Sequence, residues 1–114
     1  MNDPTQDQQA AIRQRMAQLR AQFVKRTQGE LASMSGLLER VRQGDAAALR
    51  DMELLAHKIN GTGATFGFVG ISTHAGEIER MVAAEKCASD AERADYVAAS
   101  LQRLQGELKL LAED

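Results

Sequence analysis

His57 stands just ahead of the most glycine-dense stretch of the chain, in which Gly61, Gly63, Gly67 and Gly70 fall within the ten residues 61–70. A neutral imidazole is a competent nitrogen nucleophile near neutral pH. Glycine inside a helix costs about 1 kcal/mol relative to alanine, so the cluster asks for a reason, and the reason it suggests is access. Small residues beside the ring remove side chains that would shield it from a partner protein. Attack on an activated phosphoryl group would give an N-phosphohistidine, which readily passes the group onward. Phosphoryl transfer needs mainly alignment and neutralisation of charge on the equatorial oxygens. The sequence has no Walker-type loop, no glycine-rich nucleotide loop after a strand and no paired acidic metal site. It therefore supplies a nucleophile without a cofactor or metal of its own, and a partner must bring the metal ion and the phosphorylated group.

The elements that carry this histidine are helical. Nineteen alanines, one proline and few aromatic residues in 114 point to an all-α protein. Ile12, Met16, Leu19 and Phe23 form an apolar stripe that resumes through Leu31, Met34, Leu38 and Val41. Thr27 and Gly29 predict a kink or break between Lys25 and Glu30. Asp3 is the expected cap ahead of Pro4 in the first turn. Gly44 ends this helix and Asp45 caps the next. That helix places Ala48, Met52, Leu55, Ile59 and Phe66 on its core face, with Gly67 and Gly70 marking its end. A third runs to about Cys87 with Ile71, Ala75, Ile78 and Val82 inward. "SDAE" (Ser89 to Glu92) matches a capping box ahead of a helix carrying Ala94, Val97, Leu101, Leu104, Leu108 and Leu111. Short connections favour antiparallel neighbours. The expected fold is an antiparallel four-helix bundle with an N-terminal helical extension or cap, one domain over residues 1–114 with its core at about 20–112.

On this plan His57 lies opposite the core stripe, in solvent, and Arg50, Glu53, Leu54, Asn60, Gly61 and Ala64 share its side. Fourteen basic against sixteen acidic residues, a net charge of −2, argue against nucleic acid. No apolar run approaches the roughly 20 residues of a membrane span, and no signal-peptide pattern opens the chain. A single cysteine excludes an internal disulfide. The expectation is a soluble, unprocessed, cytoplasmic protein.

These residues resemble the histidine-containing phosphotransfer (HPt) domain family. The motif reads His57, Ile59, Gly61, Thr62-Gly63-Ala64, Phe66 and Gly67, with Glu79 matching a glutamate common in the next helix, and Gly44-Asp45 and Leu49 also fit. The resemblance covers roughly residues 20 to 110, its core motif about Leu55 to Phe68. It implies a phosphorelay intermediate in which His57 takes a phosphoryl group from a receiver-domain aspartyl phosphate and passes it to another receiver, or the reverse. The implied partners are response-regulator receiver domains and a hybrid histidine kinase. The implied docking or phosphoryl-stabilising residues are Lys58, Asn60, Gly61, Ala64, Arg50 and Leu54. Many members carry lysine three residues after the histidine, where this chain has Asn60. Either Lys58, which projects about 100° around the helix from His57, or a neutral hydrogen bond from Asn60 takes that part.

Other residues read more plainly. His74 aligns with the apolar side of its helix, so a packing role is expected. A metal site is disfavoured because no acidic residue precedes either histidine by three. The methionines at 16, 34, 52 and 81 follow core positions. Arg13, Arg15, Arg20, Lys25 and Arg26 make the N-terminal helix locally basic. The alternative to relay is a non-catalytic helical docking or inhibitor module for a receiver or kinase. A monomer is favoured over a dimer.

Overall fold

The computed structural model describes residues 5–84 and 89–113. They form α1 (Gln6–Arg42), α2 (Ala46–Phe66), α3 (Val69–Ala83) and α4 (Asp90–Glu113). Each helix packs on the next and α4 closes back on α1, while the backbones of the diagonal pairs α1–α3 and α2–α4 stand farther apart. Cross-helix pairs run in opposite directions along three seams: Glu30 meets Lys58 and Arg40 meets Asp45, His57 meets Glu79 and Asn60 meets Ser72, Glu77 meets Ser100 and Gly70 lies against Glu107. The bundle is therefore antiparallel, and the all-α expectation holds.

The apolar stripes explain the core. Met34, Met52, Ala56, Ile59, Ala75, Ile78 and Leu104 are wholly buried, flanked by Leu31, Val41, Ile71, Val97 and Leu101. Each large side chain so buried contributes about 1.5–3 kcal/mol. α1 crosses Lys25–Glu30 without a break, against the kink expected there. Thr27 faces the core at 0% exposure, and a methyl group built on Gly29 would meet nothing within 4 Å. Burial of Phe23, Val24, Leu31 and Met34 on either side outweighs the roughly 1 kcal/mol glycine penalty.

The stripe of α1 outruns its partners. Ile12 and Met16 are each 57% exposed, and nothing before Phe23 is buried. At about 1.5 Å per residue the 37 residues of α1 match the 60 Å long axis of the molecule, whereas α2 has 21. Met16 is thus no core methionine, unlike Met34 and Met52.

Other boundaries differ in detail. Thr5 caps α1 through a reciprocal box with Gln8; Asp3 and Pro4 lie outside the described residues. Gly44 takes φ +88° and Asp45 caps α2, its other carboxylate oxygen accepting from Arg40 at 2.7 Å. That bond holds the Asp45 carboxyl below its ordinary pKa. Gly67 alone ends α2, in the left-handed conformation at φ +77°. Gly70 sits inside the first turn of α3, against Glu107 of α4. Phe66 is not core but 38% exposed, its ring 5.4 Å from Phe23 and 5.8 Å from Phe68. The three phenylalanines close that end of the bundle. α3 stops at Ala83, and Cys87 lies outside the described residues. Ser89 Oγ accepts from the Glu92 amide at 3.1 Å, the forward half of the expected box.

Candidate functional site

The site lies on the seam between α2 and α3, the most extensive helix pair in the bundle. Gly63 makes that closeness possible: a methyl group there would stand 3.0 Å from Ile71 Cγ2 and 3.2 Å from the Ser72 amide. Gly63 fixes a register in which His57 faces Glu79 and Asn60 faces Gly76.

The His57 side chain is 74% exposed, and its Nδ1 lies 2.8 Å from Glu79 Oε1. A carboxylate only accepts hydrogen bonds, so Nδ1 carries the proton and donates it to Glu79. In the neutral ring this leaves the lone pair on Nε2. Gly61, one turn along, has open space where a side chain would begin. Arg50, Leu54 and Ala64 are also exposed around it, Leu54 at 64%. The four glycines therefore have separate causes: open surface at Gly61, helix contact at Gly63, chain reversal at Gly67, and packing on Glu107 at Gly70.

Lys58 and Asn60 are both engaged elsewhere. Lys58 turns to α1, its Nζ 3.3 Å from the nearly buried Glu30 carboxylate. Asn60 is half-buried in the α2–α3 seam, where its Oδ1 accepts from Ser72 Oγ and its Nδ2 lies beside Gly76. A residue that sequence reasoning passed over shares this seam. Arg80 directs its Nη1 over Gly76, and among the described residues it forms no ion pair. The Gly-x-x-x-Arg spacing was the available signal, but its meaning depends on the helix pairing.

His74 belongs to a different seam. Its side chain is 19% exposed, and Nδ1 meets Glu77 Oε2 at 3.1 Å. The same oxygen accepts from Ser100 Oγ at 3.1 Å and faces Arg103 of α4 at 3.5 Å. Packing is therefore only part of its role: it anchors a polar bridge from α3 to α4. The hydrogen bonds from His74 and Ser100 lower the Glu77 pKa against the opposing effect of burial. The two histidines are not brought together, and no three His, Cys, Asp or Glu side chains among the described residues are placed to hold a metal ion. None of the helices described is long and apolar enough to cross a membrane.

The Hpt domain family matches residues 18–111. The chain belongs to the Hpt domain family. Hpt domains are helical phosphotransfer carriers of two-component phosphorelays, and they interact with receiver domains and kinases. Neither a curated protein nor a solved structure gives a significant match. The Hpt match begins at Gln18, so the free start of α1, Gln6–Ala17, lies outside it.

Proposed function

We propose that this Hpt domain carries its phosphoryl group on Nε2 of His57, received from a receiver-domain aspartyl phosphate and delivered to another receiver, or the reverse. The observation that carries the proposal is the bond from His57 Nδ1 to Glu79 on a ring otherwise open to solvent. Nε2 attacks phosphorus, the N–P bond forms, and the acyl-phosphate O–P bond breaks with its electron pair leaving on the aspartate carboxylate. The proton on Nδ1 stays in place. The ring becomes formally cationic, and the Glu79 carboxylate against Nδ1 offsets that charge. Return of the group runs through the same atoms. The receiver supplies the metal ion and the phosphorylated aspartate, and the Hpt side supplies a positioned nucleophile and room to approach it.

Arg50, Leu54, Gly61 and Ala64 form the face that a receiver would cover, an exposed leucine and small residues around the ring with one cation at the edge. Asn60 offers a neutral donor from inside the seam, and Lys58 would have to leave Glu30 to take part.

Labelling distinguishes relay from simple docking. Given a phosphorylated receiver, the wild type should gain one acid-labile, base-stable phosphoryl group, and with ATP and Mg²⁺ alone it should gain none. His57→Gln should abolish the label and His74→Gln should keep it. A label that persists in His57→Gln refutes the assignment. Binding without labelling by any cognate receiver would make the chain a docking module.

A further inference from the structure

The proposed site has a carboxylate against the imidazole but no cation committed to the phosphoryl group. Lys58 is drawn toward α1 by Glu30 at 3.3 Å. Asn60 holds the position one turn after His57 and is neutral. Arg50 lies two turns before His57 on α2, and helical side chains lean toward the N-terminus of their own helix, which takes its head away from the ring.

The same lean has the opposite effect on α3, because α3 runs antiparallel to α2. Arg80 follows Glu79 directly, so it leaves α3 level with His57. Leaning toward the start of α3, it ends with Nη1 over Gly76, opposite Asn60. The absent side chain at Gly76 leaves this path open, since a methyl group there would sit 3.3 Å from Arg80 Nη1 and 3.4 Å from Asn60 Nδ2 and press on the guanidinium. Arg80 is exposed and without an ion pair among the described residues. A guanidinium presents paired donors that match phosphate oxygens, which a point charge on an ammonium does not.

We propose that Arg80 is the phosphoryl-binding cation of this domain, reaching across the cleft left by Gly76 to the phosphate on His57. α3 then delivers both charges in consecutive residues: Glu79 to Nδ1 during attack, and Arg80 to the oxygens beyond Nε2. The cation arrives from the neighbouring helix because the position three residues after the histidine, Asn60, serves the seam with Ser72. This rests on His57 being the phosphoryl carrier.

The test uses phosphoramidate as a small phosphodonor, so that receiver docking plays no part. Wild type, Arg80→Ala, Arg80→Lys, His57→Gln and the control Arg13→Ala on the free stretch of α1 are compared. The labelling rate should fall roughly 3- to 10-fold in Arg80→Ala, the lower range for a charge-assisted bond at an exposed site. Phosphorus NMR should show the second pKa of the phosphoryl group rising by roughly 0.5 to 1 unit once the cation is gone. Arg80→Lys should recover part of both effects, and Arg13→Ala should match the wild type. A purely structural role for Arg80 would leave the phosphoryl pKa unmoved. Unchanged rate and unchanged phosphoryl pKa in Arg80→Ala, with labelling still lost in His57→Gln, would overturn this proposal and leave His57 as carrier. Absence of label at His57 in the wild type would overturn both.

Discussion

At the residue scale, the site depends on which nitrogen of His57 holds its proton, and Glu79 decides this. Nitrogen NMR of the free protein should show the neutral ring protonated at Nδ1, and Glu79→Ala should shift it toward the mixture of tautomers found in free imidazole. Transfer from a phosphorylated receiver should slow by about tenfold in Glu79→Ala, the effect of one lost hydrogen bond to a charged group. Normal transfer with the tautomer scrambled would show that Glu79 does not position the nucleophile. Gly61 and Gly63 separate access from packing. Gly61→Ala points into open space and should raise stability by roughly 0.5–1 kcal/mol. Gly61→Gln should keep the fold yet slow transfer, because its side chain stands beside the ring. Gly63→Ala presses on Ile71 and Ser72 of α3 and should lower stability by roughly 1–3 kcal/mol. Denaturation midpoints beside transfer rates check all three. Sequence alone placed His57 on the open face, since that follows from helical angles within α2. It could not show Lys58 held by Glu30 or Arg80 laid over Gly76, because both contacts depend on register between helices.

At the element scale, periodicity revealed α2, α3 and α4 because each must bury one continuous stripe. Gly44-Asp45 was legible because a positive φ and a cap are local requirements. The expected break at Thr27 and Gly29 failed because propensity is local, while Thr27 is committed to the core by tertiary packing. Ile12 and Met16 misled for a related reason: a stripe tells which face is apolar but not where the neighbouring helices stop. The α3–α4 seam carries its own expectation through Glu77. Its pKa is lower in the folded state than the ordinary 4.5, the hydrogen bond from His74 being the first cause. The unfolded chain therefore binds the proton more readily, and the Glu77 contribution is present above about pH 4.5 and is lost as pH falls through the lower folded value. Denaturant titrations from pH 6 to pH 3 should show Glu77→Gln with a shallower acid loss of stability than wild type. Identical slopes would remove Glu77 from the acid response.

At the scale of the whole molecule, a short bundle is mounted on one long helix, in an envelope of 60 × 24 × 20 Å. Gln6–Ala17 contributes no buried residue, and Ile12 and Met16 are open to solvent. Removal of residues 1–17 should therefore leave cooperative unfolding intact, with the melting temperature within about 4 °C of the full chain. A large drop would mean that the projecting turns support the bundle in a way their exposure does not show. The rest of the architecture converges on one ring: four helices fix the α2–α3 register, the register sets Glu79 on Nδ1, and Nε2 is the atom we propose for the phosphoryl group. The most direct measurement is phosphorus–nitrogen correlation NMR on the nitrogen-15-labelled full chain after transfer from a phosphorylated receiver. Phosphorus coupled to Nε2 of His57 is the expected result. Coupling to Nδ1, or to any nitrogen outside His57, would contradict the account.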